Sequence, residues 1–296
     1  MPAMPAATVV VFGGGGQLGR ELARATAPDG LQVRALAHAE ADVTDPRAVR
    51  AAIAGARAAI NAAAYTDVDR AESEPARAFA VNRAGAGAVA EACAAARIPL
   101  VHVSTDYVFD GTANRPYRED DARAPLGVYG ASKAAGEDAV RAAGGTAAIL
   151  RTAWVFSPFG RNFVTTLLRL GAERDEVAVV CDQQGGPTAA RDLAHAALTI
   201  AAGLAAGGKG TGTFHYCGAP PVSRSAFAQE IFAGAASRGL PAPQRLRAIA
   251  TADHPTPARR PANSVLDCAR IAAVWGLAQP DWRQGLAACL DRLAGT

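Results

Sequence analysis

The chain contains no Cys-x-x-Cys and no cysteine paired with histidine at metal-binding spacing. Its five cysteines, Cys93, Cys181, Cys217, Cys268 and Cys289, are odd in number and widely scattered. Neither a disulfide framework nor a zinc site fits that pattern, whereas buried small thiols in a reducing compartment do. A Lys/Arg block is also missing, and the formal charge of +3 is spread along 296 residues. That excludes the basic footprint of a nucleic-acid binder or of a protein held on an anionic membrane. No uninterrupted apolar run reaches the roughly 20 residues that cross a bilayer. The apolar N-terminus lacks a basic n-region, so no signal peptide is expected and the expected location is the cytoplasm. With half of its residues hydrophobic and 19% charged, the chain has a globular balance. Its length suffices for one large domain or two modest ones.

What is present begins with an apolar run, Thr8-Val9-Val10-Val11-Phe12, followed at once by Gly13-x-x-Gly16-x-x-Gly19. A continuous apolar strand is the pattern of one buried on both faces of a parallel sheet. Strand and helix signals then alternate. A helix is expected from Gln17 to about Ala27, a strand at Gln32–Ala37, and a helix opened by Asp45 as N-cap with Pro46 at its first position. A short strand follows at Ala58–Asn61, a long helix from about Pro75 to Arg97, and a strand at Leu100–Ser104. Ser132–Ala143 reads as helix and Ala147–Val155 as strand. This rhythm predicts an α/β fold, a doubly wound parallel (Rossmann) sheet with right-handed crossovers and a smaller C-terminal substrate-binding lobe. Residues 1–155 are expected to form the dinucleotide-binding domain. Residues 156–296 are expected to form mainly the substrate lobe, with some segments returning to the sheet. Helices are expected there at Asn162–Ala172, Ala189–Ala205 and Ser225–Ala236, short strands at Val177–Cys181 and Thr213–Cys217, and a Pro-rich ordered loop over Pro241–Pro261.

The glycine turn lets backbone approach a pyrophosphate, which then sits at the following helix's N-terminus among free N–H groups. Gly13, Gly16, Gln17 and Leu18 are the expected contacts. An acidic residue for a ribose 2′-hydroxyl would fall near Ala37-His38, where there is none, and no arginine stands there for a 2′-phosphate. Use of both NADH and NADPH, leaning to NADPH, follows, with Asp42 and Val43 flanking the adenine. Ala62, Ala63 and Ala64, at a strand end, leave room for a flat cofactor. Tyr129-x-x-x-Lys133 places a phenol and an ammonium on one helix face. A phenol with a free pKa of about 10 is a poor acid–base group near neutrality, and an adjacent ammonium is expected to lower it while reaching the nicotinamide ribose. Ser104-Thr105 ends the preceding strand, where a hydroxyl would hold a substrate oxygen beside Tyr129. Read together, these residues describe a reductase moving hydride and proton between a nicotinamide and a carbonyl.

Several blocks resemble the dTDP-4-dehydrorhamnose reductases, a family of extended short-chain dehydrogenase/reductases. They are Asn61-Ala62-Ala63-Ala64-Tyr65-Thr66-Asp67-Val68-Asp69, Ser104-Thr105-Asp106-Tyr107-Val108-Phe109-Asp110-Gly111, Arg151-Thr152-Ala153-Trp154-Val155-Phe156, Asp182-Gln183-Gln184-Gly185-Gly186-Pro187-Thr188, and the stretch from Pro255 to Ser264. The resemblance implies Thr105, Tyr129 and Lys133 as a catalytic triad and Trp154 bordering the sugar. It also implies reduction of the 4-keto group of dTDP-4-dehydro-L-rhamnose, or of a related 4-keto-6-deoxy sugar nucleotide. Sugar-nucleotide dehydratases follow the strand-end threonine with an acidic pair, but here Asp106 is followed by Tyr107. Some family members form a magnesium-linked dimer through glutamates. Glu21 matches one ligand position, but Arg191 stands at the other, and a cation there repels a divalent metal. No metal ligand is therefore assigned, and monomer and homodimer both remain open. A reading of another class is a non-catalytic nucleotide-binding subunit similar to the regulatory subunit of methionine adenosyltransferase. The presence of Thr105, Tyr129, Lys133 and Trp154 together favours catalysis.

Overall fold

The computed structural model describes residues 7–295, so residues 1–6 and 296, at the outer ends of the two expected units, lie outside it. Strand β1 (Thr8–Phe12) is an inner strand of a six-stranded sheet, one in from its edge, with Val9, Val10, Val11 and Phe12 no more than 1% exposed. Alternate side chains of a strand point to opposite faces. Val9 and Val11 accordingly enter one core cluster, and Val10 and Phe12 the other. After α1 (Gln17–Leu22) come β2 (Gln32–Leu36), α2 (Pro46–Ala52) and β3 (Ala58–Asn61). Asp45 caps α2, accepting from the Arg47 N–H at 2.8 Å, with Pro46 at the first helical position as expected. Helix α1 is shorter than its pattern suggested, because the chain turns after Leu22 toward Pro28.

Beyond α3 (Val68–Ser73), the long helix expected from Pro75 is present but not uniform. It runs as α4 (Pro75–Phe79), a π-helical stretch over Ala80–Gly85, and α5 (Ala86–Ala96). Insertions of this kind re-aim a side chain and recur at functional sites, and here the re-aimed residue is the buried Asn82. Strand β4 (Leu100–Thr105) leads to α6 (Val128–Ala142), which begins four residues earlier than expected and so takes Tyr129 into its first turn. Strand β5 (Ala147–Thr152) stops short of Val155 because Trp154 adopts a left-handed backbone conformation, φ +47°. The chain resumes as β6 (Val155–Phe156), which pairs with a later strand outside the main sheet.

The remainder comprises α7 (Phe163–Glu173), β7 (Glu176–Val180), β8 (Gln184–Gly185), β9 (Thr188–Ala189), α8 (Ala190–Ala205), β10 (Gly212–His215), β11 (Val222–Ser223) and α9 (Arg224–Ala236). After these come β12 (Arg245–Ile249), β13 (Asn263–Ser264), α10 (Ala269–Trp275) and α11 (Trp282–Ala294). Strand β12 corrects the expectation of loop throughout Pro241–Pro261. It pairs in parallel with β7, an arrangement that the flanking prolines concealed. Strand β10 joins the edge of the main sheet beside β5, giving the all-parallel order β2-β1-β3-β4-β5-β10, and α8 lies against that sheet with α1. A third core, including Phe156, Leu167, Phe227, Ile231 and Trp282, joins α7, α9 and α11. Because β2 and β3 lie on opposite sides of β1, the connections reverse there. The loops at the carboxyl ends of β1 and β3 part at that point, the usual position of a ligand crevice in such sheets.

Candidate active site

A cavity of about 1410 Å³ opens at that reversal and runs from the glycine turn to β7. Every residue expected to serve cofactor, reaction or substrate lines it, from Gly13 after β1 to Trp154 after β5. At its inner end the chain is pressed against itself. Gly13 has φ +83°, and a Cβ there would stand 2.6 Å from the Ala63 N. A Cβ on Gly19 would collide with the Gly13 carbonyl oxygen. Glycine is thus required for α1 to pack beneath the turn. Gly16 is the N-cap of α1 and supplies no side-chain cap, while Gln17 Oε1 is buried without a partner. The cradle accordingly offers unsatisfied polar groups together with space that side chains would have filled, which fits a dinucleotide's phosphates. Asn61 fixes the facing loop: its Oδ1 accepts from the Ala63 N–H at 3.1 Å, and its Nδ2 meets His102 Nδ1 at 3.3 Å. Farther along the same wall lies Asp42, whose Oδ1 accepts from the Thr44 N–H and hydroxyl at 2.9 and 2.8 Å. Those bonds, the backbone one first, hold its carboxyl below the usual range. At the end of β2 no carboxylate or guanidinium occupies Ala37 or His38. The Ala37 N–H is instead taken by Glu40 Oε2 at 2.8 Å.

In the middle of the cavity, Thr105, Tyr129 and Lys133 come together from β4 and α6. Burial pushes the Tyr129 phenol above its ordinary value, and the hydroxyl that opposes this by hydrogen bonding is Thr105. The expected lowering by Lys133 is not what the geometry provides. Lys133 donates through Nζ to the Val103 carbonyl oxygen at 2.7 Å, and it is 2% exposed. Burial draws its ammonium down to about 8, with the nearby Glu137 opposing. The two strand-end hydroxyls also divide: Thr105 faces the phenol, whereas Ser104 donates to Glu137 Oε1 at 2.7 Å. Behind them, Asn82 on the π-helical stretch accepts from the Tyr65 N–H at 2.8 Å and donates to Ser132 Oγ at 2.9 Å. It ties the β3 loop to the turn of α6 that carries Tyr129 and Lys133.

The outer end contains groups that motif reading passed over. Arg260 forks onto Asp69, with Nη1–Oδ1 at 2.5 Å and Nη2–Oδ2 at 2.6 Å. Tyr107 meets the Tyr129 ring edge-on, with centroids 5.5 Å apart. The Arg224 guanidinium lies 3.6 Å from the Trp154 ring centroid and 5.0 Å from that of Phe163. Asp106 is buried, accepts from the Thr105 hydroxyl at 2.9 Å and keeps its Oδ2 unpartnered; burial raises its carboxyl to about 6. An arginine at the start of a helix carries no motif, so only its placement against Trp154 reveals Arg224. Glu21 and Arg191 border a separate crevice of about 100 Å³ that Arg292 also lines. There Glu21 accepts from the Ser157 hydroxyl at 3.2 Å, and Arg191 pairs with Asp192 at 3.3 Å.

Comparison with known proteins adds to this geometry. A family model described as RmlD substrate binding domain matches residues 7–294. The dTDP-4-dehydrorhamnose reductase of Aggregatibacter actinomycetemcomitans is 43% identical over 285 residues, covering 95% of this chain and 97% of that protein. The reductase of the same name from Burkholderia thailandensis is 43% identical over 296 residues, covering 96% of this chain and 98% of that protein. A crystal structure of a dTDP-4-dehydrorhamnose reductase from Bacillus anthracis in complex with NADP matches with a TM-score of 0.87 at 33% identity, covering 97% of this chain and 100% of that one.

Proposed function

The chain belongs to the RmlD substrate-binding-domain family, and from that premise we propose how its residues carry the reaction of an NAD(P)H-dependent dTDP-4-dehydrorhamnose reductase. The substrate is dTDP-4-dehydro-L-rhamnose and the product dTDP-L-rhamnose, a step of rhamnose biosynthesis. One observation carries the assignment of roles: Thr105, Tyr129 and Lys133 line the same cavity as the glycine turn, with the phenol held neutral by burial.

NAD(P)H, when bound, supplies the hydride. Gly13, Gly16, Gln17 and Leu18 hold its phosphates, Asp42 and Val43 flank the adenine, and Ala62, Ala63 and Ala64 leave room for the rest. Lys133 reaches the nicotinamide ribose. Thr105 and Tyr129 donate to the substrate's C4 oxygen and so place the carbonyl carbon for attack. As charge develops on that oxygen, Tyr129 releases its proton to it. A phenol whose proton is held tightly suits this direction, because an alkoxide is a far stronger base than a phenolate and the transfer remains downhill. The phenolate left behind accepts from the Thr105 hydroxyl until solvent returns a proton. Trp154 packs on the sugar nucleotide. Residues 1–155 supply the cofactor half of the cavity, and most of the substrate half comes from residues 156–296, while β10 and α8 return to the sheet.

The test is oxidation of NADPH with dTDP-4-dehydro-L-rhamnose and identification of the sugar product, repeated over a panel of 4-keto-6-deoxy sugar nucleotides. Stoichiometric dTDP-L-rhamnose is expected. Cofactor binding without turnover of any such sugar would instead support a regulatory, non-catalytic use of the fold. Trp154→Ala sharpens the substrate assignment: it should raise KM for the sugar nucleotide, whereas a purely structural tryptophan would lower the melting temperature and leave KM unchanged.

A further inference from the structure

Arg224 is placed as few surface arginines are. It opens α9 directly after the Ser223 cap, whose hydroxyl accepts from the Ala226 N–H at 3.1 Å, and its own backbone N–H is tied to the Gln183 carbonyl oxygen at 3.1 Å. Its guanidinium is part-buried between the Trp154 and Phe163 rings, facing the cavity beside Tyr107. Trp154, at φ +47°, is a non-glycine residue in the left-handed region, and its carbonyl is pinned by the Thr188 N–H at 3.2 Å. A backbone strained in this way holds its ring in place, so the stacked guanidinium has a fixed seat.

Its charge is met only in part, by the Tyr107 hydroxyl and by the more distant Asp106 carboxylate. Among the described residues Arg224 enters no ion pair with a carboxylate. The neighbouring Arg260 differs, since both of its terminal nitrogens are taken up by Asp69. Asp106 attracts the guanidinium without pairing with it, its bound oxygen serving Thr105. A guanidinium presents five N–H donors in a planar fork that matches phosphate oxygens. Held in the cavity with no carboxylate at ion-pair distance, it keeps donors free for an anion from the ligand. Tyr107 bonds the Arg224 guanidinium through its hydroxyl and meets the Tyr129 ring edge-on, 5.5 Å away between centroids.

We propose that Arg224 is the residue that recognises the diphosphate of the sugar nucleotide and so selects nucleotide-linked sugars over free ones. The proposal rests on the reductase reading above. It is tested by calorimetric binding of dTDP and of thymidine to the parent enzyme, to Arg224→Gln and to Arg224→Lys, without cofactor. Arg224→Gln should weaken dTDP binding by roughly 10–100-fold, the loss of one charge-assisted pair, and leave thymidine binding unchanged. Arg224→Lys, which keeps the charge but not the fork, should fall between the two. In turnover the effect should appear in KM for the sugar nucleotide more than in kcat. An unchanged ratio of dTDP to thymidine affinity in both variants, with melting temperatures at the parent's value, overturns the assignment. If the parent reduces no dTDP-linked 4-keto sugar yet binds dTDP or UDP through Arg224, the reductase reading falls and the diphosphate assignment stands.

Discussion

Helix α6 carries two polar clusters a single turn apart, and they differ in how fully their charges are met. Glu137 is fully buried and saturated. It accepts from Ser104 Oγ at 2.7 Å, from Arg151 Nε and Nη2 at 2.8 Å each, and from Arg141 Nη2 at 3.0 Å. Arg151 spends its remaining nitrogen on the Glu119 carbonyl oxygen and His215 Nε2, at 3.2 and 3.3 Å. Burial opposes the Glu137 charge, but Arg151 above all, with Ser104 and Arg141, outweighs it and holds the carboxyl at about 2. Lys133, four residues earlier and almost as buried, has one carbonyl for a partner, and in the cavity that it lines Thr152 Oγ1 and Asp106 Oδ2 have none. Buried polar groups are ordinarily paired. The saturated cluster therefore stabilises the fold, and the unsaturated one leaves its bonds for a ligand. Arg224, which has no carboxylate at ion-pair distance, belongs to the second kind.

The sharpest way to break this contrast is at Tyr129. Tyr129→Phe removes the proton donor and keeps the ring, so kcat should fall about 10²–10⁴-fold with melting temperature and cofactor affinity preserved. A rate within about twofold of the parent would remove Tyr129 from the chemistry. On the saturated side the loss should be in stability instead. Arg151→Met strands a buried carboxylate and should cost about 3–5 kcal/mol, read by denaturant unfolding, and adding Glu137→Leu should recover part of it. The same pair sets an acid limit. The Glu137 carboxyl is depressed in the folded protein, so the unfolded chain binds the extra proton between about pH 4.5 and 2. Its stabilising contribution is present above that window and is lost as pH falls through it.

Lys133 should behave in the opposite way. Its folded pKa of about 8 lies below the ordinary 10.5, so between those values the unfolded chain holds more protons, and stability rises with pH. Below pH 8 the buried ammonium is a cost. Lys133→Met should therefore stabilise the protein at neutral pH, by on the order of 1–3 kcal/mol, with the gain disappearing toward pH 10.5, while cofactor affinity and rate both fall. A destabilised variant would place Lys133 with the saturated cluster. Smaller effects are expected at the cavity's rim. Ala37→Asp should shift preference from NADPH toward NADH by adding a 2′-hydroxyl acceptor that repels a 2′-phosphate, as the ratio of kcat/KM for the two cofactors would reveal. Smallest of all is the response to chelator. With Arg191 beside Glu21, activity and oligomeric state should not change, and a loss restored by Mg²⁺ would show that a divalent ion is used.

Much of the fold was legible because its signals are local. The β1 run, the Gly13 turn and the Asp45-Pro46 cap each combine a residue type with a backbone demand that few other residues meet. The departures have equally local causes. Strand β5 was read three residues too long because Trp154 gives no sign in sequence of its left-handed backbone. Strand β12 was hidden because a two-stranded parallel pair needs only β7 as partner, nearly seventy residues away. For α6, the expected start at Ser132 missed a first turn that opens at Gly127, a glycine N-cap without a side-chain signal.

The sequence by itself determined the order of strands and helices, the phosphate turn and the one-turn spacing of Tyr129 and Lys133. Those are consequences of residue types a few positions apart, acting through sterics and helical period. Only the tertiary structure decided which polar groups would be paired. Nothing near Glu137 in sequence announces Arg151 as its partner, and nothing near Arg224 announces that it stacks on Trp154 without a carboxylate at ion-pair distance. Burial shifts both the phenol of Tyr129 and the ammonium of Lys133 away from their ordinary values, against the expectation from spacing alone. The cost of a buried charge depends on the whole surrounding volume, and that volume is assembled from segments distant along the chain.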